Sequence, residues 1–538
     1  MNRLSLLTQN LRITDIVATS CVIWILLKVS RPSPKVTRLR GPPRKSIIFG
    51  TDNVPKSIEE AVAISGSWCD EYGSIIRVPS VLGRSYIILN DAKAIAHFYA
   101  QARDIYVNSV LSKNILQNLV GKGLLWADGE DHKRQRKSLT PAFTSAAIRK
   151  LTSIFYDTAH KAKTEWDNKL LDCADGTVIE VQSWMSRISL DTIGIAGFSH
   201  DFGTLDGKPS TIADIIESFA RMKFSSFATL CLLLSPVFPW IVKLPIGPTV
   251  SSRKLNAAMG SIAETLLSQS KEAGEDGVKP TSEDNSLISL LIRAGAMDED
   301  SHKYLTKEEV IDQMKVLLFA GNATTSISLT WALIRLSQNL DIQTKLREEL
   351  SQFPHGEPSM DQLNTLFPYL DAVVHEILRL DPPVVATARD SAVDDVIPLS
   401  EPVKTVSGEM VDHVLILKGT TVIVQIITVN RSEAFWGPDE KKFKPERWLT
   451  MDEFSEKATG IQGHRHLLTF IDGPRACLGK GFALTQLKAV LFVLIRNFIF
   501  ELPGGPDTQA ELTSGLLPRP RIVGEEGDRV PLKVRRVD

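Results

Sequence analysis

The sequence predicts a mainly α fold with small β-sheets, arranged as one large domain behind a short N-terminal segment. Three observations carry that expectation. Apolar residues recur at helical spacing over most of the stretch from Asp91 to about residue 380. Strand patterns are few and short: Ile75–Val78, Tyr86–Leu89, Val411–Leu417 and Thr421–Ile426. No internal repeat or long linker follows residue 50, so the rest of the 538 residues reads as one body, 46–538.

Composition narrows the function classes. Lys and Arg number 62 against 63 Asp and Glu, for a net charge of -1. There is no basic excess to neutralise phosphates, so no nucleic-acid partner is expected. The five cysteines, Cys21, Cys69, Cys173, Cys231 and Cys477, are odd in number and form no CxxC pair. A disulfide scaffold or zinc site is therefore not expected, and a reducing compartment is.

At the N-terminus, Ile16–Leu27 is uncharged and mostly apolar. As a helix it spans about 18 Å, against a hydrocarbon core of roughly 30 Å. Counting from Leu4 supplies the length but takes in Arg12 and Asp15. A single-pass anchor over 1–30 is expected, with Arg12 and Lys28 reaching the headgroups. A cleaved signal peptide is the rival, and it implies an oxidising destination that the cysteine usage does not favour. Basic residues follow the apolar run in excess, which puts the main body in the cytosol. Pro32, Pro34, Gly41, Pro42 and Pro43 predict a stiff basic hinge over 31–45.

Within the body, Ile75–Val78 and Tyr86–Leu89 flank a Gly-containing turn and predict a β-hairpin. Ala273–Ser286, rich in Gly, Asp, Glu, Ser and Pro, predicts a surface loop. The longest helix starts at Thr306, where Thr306 and Glu309 have capping-box spacing, and its periodicity runs to about Leu336. At about 45 Å it would cross the whole domain. Further helices are expected from Asp341 and over Tyr369–Leu380. The Val411–Leu417 and Thr421–Ile426 strands are split by Lys418-Gly419. Phe482–Phe498, free of Pro and Gly, predicts a long buried helix.

That last helix follows the loop Phe470-Ile471-Asp472-Gly473-Pro474-Arg475-Ala476-Cys477-Leu478-Gly479. A thiolate at a helix N-terminus is stabilised by free N–H groups and the helix dipole. Gly473 and Gly479 leave room for a flat ligand against the backbone, and Arg475 adds a cation. These parts suit a haem whose iron takes sulfur as its axial ligand. An ordinary buried cysteine is the plain alternative.

The loop resembles the haem-binding loop of the cytochrome P-450 superfamily, FxxGxRxCxG, at all five fixed positions: Phe470, Gly473, Arg475, Cys477 and Gly479. The resemblance extends from about residue 39 to the C-terminus. Ala320-Gly321-Asn322-Ala323-Thr324-Thr325 is similar to the family's [AG]Gx[DE]T[TS] at Ala320, Gly321, Thr324 and Thr325. Ala323 stands where the family usually carries an acid. Thr324 is then the residue expected to steady dioxygen and pass protons, with ordered water or Asn322 standing in for the missing carboxylate. Glu376-Ile377-Leu378-Arg379 and Arg447, within Phe443–Trp448, resemble the family's ExxR and PxRx segments. The resemblance implies a buried structural network of Glu376, Arg379 and Arg447 bracing the cysteine loop. It also implies that His132 and Arg136, in a variant of the family's WxxxR helix, join Arg389 and Arg475 on the haem propionates.

What the resemblance implies in sum is a microsomal, fungal-looking haem-thiolate monooxygenase at the endoplasmic reticulum membrane. It would use haem b, O2 as cosubstrate, and NADPH through a separate reductase. No GxGxxG follows an expected strand, so the reductase is a partner rather than a domain of this chain. The run Phe224–Ile241, with Phe227, Leu230, Leu232, Leu233, Leu234, Val237, Phe238 and Trp240, matches the family's channel lid in position, dipping into membrane lipid. Other stretches expected to touch substrate are Asp104–Leu125, Met314–Thr324, Val384–Ala388 and Thr513–Leu516. Their apolar character points to a hydrophobic small molecule, with a terpenoid of secondary metabolism preferred. Two other readings stay open: a haem-thiolate isomerase or dehydratase needing no reductase, which Ala323 keeps alive, and a non-catalytic haem-binding protein.

Overall fold

The computed structural model describes residues 37–46, 49–51, 57–171, 173, 175–220, 226–235, 238–244, 247–275, 305–354, 356–450, 456–513, 515 and 517–537. The expected anchor over 1–30, the hinge residues 31–36 and the loop residues 276–286 lie outside them. The rest of the expected hinge lies against the body. Leu39 is buried and bridges to Thr405, and Arg44 donates from Nη1 to the Ser80 carbonyl at 2.9 Å.

Among the described residues, the helices of nine residues or more are α1 (Ile58–Tyr72), α2 (Ala92–Ala100), α3 (Val110–Val120), α4 (Gly129–Leu139), α5 (Ser145–Lys169), α6 (Val181–Phe198), α7 (Thr211–Ala220), α8 (Ser226–Leu234), α9 (Gly247–Glu275), α10 (Lys307–Gln338), α11 (Leu340–Ser351), α12 (Pro368–Leu380) and α13 (Lys480–Asn497). Residues 273–275, expected in a loop, still belong to α9. The expected capping box opens α10: the Glu309 N–H donates to Thr306 Oγ1 at 3.2 Å, and the Thr306 N–H to Glu309 Oε2 at 2.9 Å. Glu309 also takes Arg134 Nη2 at 2.6 Å, which ties the start of α10 to α4.

α10 packs against α6, and α13 against α5, so these four helices enclose the core behind the site. Among the described residues α10 alone is long and apolar enough to cross a membrane, but most of it is buried inside the body, which makes it a core helix. Aromatic edges lock the bundle: Phe155 meets Phe482 at 4.8 Å between ring centres, and Trp166 meets Phe498 at 5.5 Å. Such pairs contribute about 0.5–1.5 kcal/mol beyond their burial.

The expected hairpin is present as β1 (Ile75–Pro79) and β2 (Ser85–Leu89), with Ile75 opposite Leu89 and Val78 opposite Tyr86. It is one edge of a five-stranded sheet in the order β1-β2-β8-β5-β3, which also contains β3 (Tyr106–Val107), β5 (Thr387–Ser391) and β8 (Thr421–Val424). The two later strands that sequence places side by side do not pair. β7 (Met410–Ile416) pairs with β6 (Asp395–Lys404), while β8 lies parallel to β2 and antiparallel to β5. The turn from Leu417 to Thr420, with Gly419 at φ +81°, redirects the chain between sheets. β6 is invisible in sequence because Pro398 and Pro402 break its pattern, and its register slips between Pro398 and Val403. β4 (Thr177–Glu180), β9 (Phe498–Glu501) and β12 (Pro531–Arg536) form a third sheet, and β10 (Ala510–Leu512) with β11 (Pro520–Ile522) a fourth. β9 begins at Phe498, directly after α13 ends at Asn497, so the last residue expected in that helix belongs instead to a strand.

Candidate active site

The cysteine loop folds onto itself before α13 begins. The Cys477 N–H donates to the Phe470 carbonyl at 2.8 Å, and the Ala476 N–H to the Gly473 carbonyl at 3.0 Å. Gly473 has φ +67°, and a Cβ there would stand 2.3 Å from the Tyr99 carbonyl oxygen. Only glycine fits. Gly479 differs, because a Cβ there would meet nothing closer than Phe143 at 3.8 Å. Protein packing therefore does not demand that glycine, and the room it leaves is available to a ligand.

Cys477 lies deep in the body, yet its side chain is open rather than packed over. Both facts hold if it lines an internal hollow. Burial pushes its thiol up from the usual range, while the Gly479 N–H and the charges of Arg136 and Lys480 pull the other way. The helix-terminus donor expected from sequence is thus present, but burial outweighs it. A thiol in that state becomes a thiolate when a metal takes its proton's place. Among the described residues no cluster of three or more His, Cys, Asp or Glu can hold an ion. A metal at Cys477 must bring its other ligands with it, as a haem iron does.

The cations named from sequence converge beside this loop. Arg475 is buried; it donates from Nε to the Ala102 carbonyl and from Nη2 to the Ala127 carbonyl, both at 2.7 Å, and contacts Asp128. Arg389 donates from Nη1 to Asn108 Oδ1 at 3.0 Å. Burial, then Arg475, pulls its guanidinium down to about 10. Arg136, on α4, has no side-chain hydrogen-bond partner among the described residues and feels the charge of Cys477. Three guanidiniums thus lie around His132, and Asp128, the carboxylate in contact with Arg475, is shared with Lys113 at 2.8 Å. A ligand with two carboxylates, such as haem, balances that excess. His132 departs from expectation. Burial and then Arg475, Arg136 and Arg389 push its imidazole down to about 4, so it is neutral and not a fourth cation. Its buried Nδ1 has no protein partner.

On α10, Phe319, Ala320, Gly321 and Thr324 are half-buried in a helix that is otherwise mostly buried. A Cβ on Gly321 would meet Ile193 of α6 at 2.9 Å, so helix packing explains this glycine without a ligand. Thr324 Oγ1 donates to the Ala320 carbonyl at 2.8 Å. Asn322 is fully buried, and neither of its amide atoms has a partner. Two residues along an α-helix is a turn of about 200°, so Asn322 faces away from Thr324. It does not replace the acid missing at Ala323.

The buried network on the far side of the loop is closed. Glu376 and Arg379 are both fully buried. Arg379 donates to Glu376 from Nε at 2.9 Å and from Nη2 at 2.8 Å, and to the carbonyls of Asn430, Glu440 and Lys442. Arg447 Nε reaches Glu376 Oε1 at 3.0 Å. Sequence reasoning missed its other members. Trp448 Nε1 donates to Glu376 at 2.9 Å. Asn430 donates to Thr469 Oγ1 at 2.9 Å, and Thr469 in turn donates to the Leu378 carbonyl at 2.6 Å. Thr469 directly precedes Phe470, so these bonds carry the brace into the cysteine loop. An Asn at the end of a buried apolar run, Ile426–Asn430, was the only signal available.

The family model described as Cytochrome P450 matches residues 67–523. Cytochrome P450 monooxygenase claQ of Ampulloclitocybe clavipes is 49% identical over 530 residues, covering 97% of this chain and 98% of that relative. Cytochrome P450 monooxygenase claO of the same species is 50% identical over 525 residues, with 96% and 97% covered. Cytochrome P450 monooxygenase 128 of Postia placenta is 36% identical over 530 residues, with 95% and 96% covered. With these matches running through the Cys477 loop and the network behind it, the chain belongs to the cytochrome P450 family, as a monooxygenase for which haem and dioxygen are implied.

Proposed function

We propose that Cys477 would hold the iron of a haem whose carboxylates would be met by Arg136, Arg389 and Arg475, and that this site oxidises an apolar small molecule of terpenoid type. The observation that carries it is an open thiol deep in the body beside three clustered guanidiniums. Bound haem would supply a redox-active iron able to activate dioxygen. The chain's own residues hold and insulate it. Phe470 and Gly473 fix the loop, the Gly479 N–H supports the sulfur, and neutral His132 offers a hydrogen bond rather than charge. Ala320 and Thr324 form the wall of α10 on the oxygen side.

Electrons come from an NADPH-fed reductase, and the body faces the cytosol at the endoplasmic reticulum membrane. The lid segment supports a lipid route for the substrate: Phe227, Leu230 and Trp240 are 61%, 41% and 59% exposed, too open for core residues. Residues Phe224 and Val237 of that segment, like Ser514 and Leu516 in the last substrate stretch, lie outside the described residues.

The test is turnover of an apolar substrate panel, chosen by shifts of the haem absorption band. Product should require both NADPH and reductase. Equal product without them would establish the isomerase or dehydratase reading, and no product from any band-shifting compound would establish the non-catalytic one. A second outcome is expected on the proton side. Thr324→Ala should cut product formed per NADPH by roughly tenfold, with peroxide released instead, because positioned proton donors contribute at least that much. Unchanged coupling would place the proton route elsewhere.

A further inference from the structure

Neither His375 nor His464 belongs to the motifs used so far, yet both lie between the ExxR helix and the cysteine loop. His375 is on α12, 1% exposed, immediately before Glu376. His464 is in the short turn His464–His466, ahead of Phe470. His375 Nδ1 is 2.7 Å from the Asp371 carbonyl oxygen. That oxygen can only accept, so Nδ1 carries the hydrogen, and in the neutral ring Nε2 is an acceptor. His375 Nε2 is 3.2 Å from His464 Nε2, which must therefore donate. Each ring also packs on a residue of the site: His375 on Trp448 at 5.4 Å between ring centres, His464 on Phe470 at 6.0 Å.

We propose that His375 and His464 form a positioning bridge, in which the single proton between their Nε2 atoms ties the turn leading into Phe470 to the helix that carries Glu376 and Arg379. The bridge rests on the reading of Cys477 as the haem ligand and adds a second tether to its loop.

The surrounding charges keep that proton count at one. Asp371 is the carboxylate facing the pair, and it is already engaged by Lys488 at 2.7 Å and Arg465 at 2.9 Å. Lys480 also faces His464. Glu376, next along α12, is consumed by Arg379 and Arg447. An added proton on the buried rings would join buried Lys488 and the more open Arg465 and Lys480. Burial is the largest cause for both rings; on His375 the Asp371 charge opposes it while Arg465 and Lys488 add to it, and on His464 a charge on His375, then Lys480 and Arg465, add to it. His375 is held at about 4 and His464 at about 3, below the ordinary 6.5. The sign follows. Unfolded rings bind protons below 6.5 while the folded rings do not, so the stability from the pair is full above 6.5. It is lost as pH falls from 6.5 through about 4 for His375 and about 3 for His464.

The experiment uses full-length holoenzyme with His464→Phe, which keeps a stacking ring but removes the donor, and His464→Gln, which restores an N–H donor. The readouts are the shares of thiolate-type and protonated-thiol carbonyl bands and the haem reduction potential, followed against pH. Wild type should hold the thiolate band down to about pH 5. His464→Phe should raise the protonated-thiol share about tenfold at neutral pH and shift the potential, while His464→Gln returns both to within about twofold of wild type. If His464→Phe matches wild type at every pH, or His464→Gln is as defective as His464→Phe, the bridge is wrong. Should His464→Phe hold no haem, His464→Gln decides through its acid transition. It should be less steep than wild type, since one titrating ring is gone, and equal steepness overturns the bridge. Cys477→Ala separates the two readings. A lost thiolate band there, with His464→Phe unchanged, keeps the ligand and removes the bridge.

Discussion

Cys477→Ala is expected to lose the thiolate-type carbonyl spectrum completely and to bring reductase-driven oxidation to background. The loss should be total because no second ligand stands ready. The other free cysteines described, Cys69, Cys173 and Cys231, are elsewhere in the fold, and no multidentate His/Cys/carboxylate cluster occurs among the described residues. Cys477→Ser should not rescue the band. A hydroxyl there meets the same burial that already pushes the thiol up, without the softness of sulfur for iron. Fold and chemistry separate in this variant, since the side chain is open rather than packed over and its backbone N–H still reaches the Phe470 carbonyl. Haem bound through the arginines with an altered spectrum is the expected state. A normal thiolate carbonyl band in Cys477→Ala would end the assignment.

How much of this was legible in the sequence depended on the range of the interactions. The long helix was readable because its capping box is local, Thr306 with Glu309, and its apolar pattern is unbroken. The Cys477 loop was readable because a positive-φ glycine and a cation sit within a few residues of the sulfur. Elements fixed by distant partners were not. β6 carries two prolines and is a strand because β7 pairs with it. The protonation of His132 could not be read from its neighbours in sequence, since Arg475 and Arg389, which help keep it neutral, come from remote segments. Asn322 looked like a stand-in for the missing acid because it is adjacent in sequence, whereas a helix turns adjacent residues onto different faces. Asn430 and Thr469 escaped notice because their service to the loop exists only once the segments beside α12 are folded against it.

Arg379→Ala should be the most damaging substitution outside Cys477, costing about 3–5 kcal/mol. That is a large share of a typical stability of about 5–15 kcal/mol. Arg379 is fully buried, packs over Trp436 at 5.2 Å, and supplies two bonds to Glu376 and three to main-chain carbonyls. Removing it strands the buried carbonyls of Asn430 and Glu440, while that of Lys442 is only partly covered. Glu376 keeps Arg447, Trp448 and the Lys444 N–H, so the carboxylate remains partly paired. The larger damage therefore falls on the carbonyls and on the loop they hold. Arg379→Lys tests that point, because lysine retains the charge but has no planar fork to reach three directions at once. If charge alone mattered, the lysine variant would unfold near wild type. The network geometry demands instead that it resemble the alanine variant, with lower thermal stability and haem lost on gentle heating. Thermal unfolding followed by the haem band decides between them, and recovery by lysine to within about 1 kcal/mol of wild type would show that the fork is dispensable.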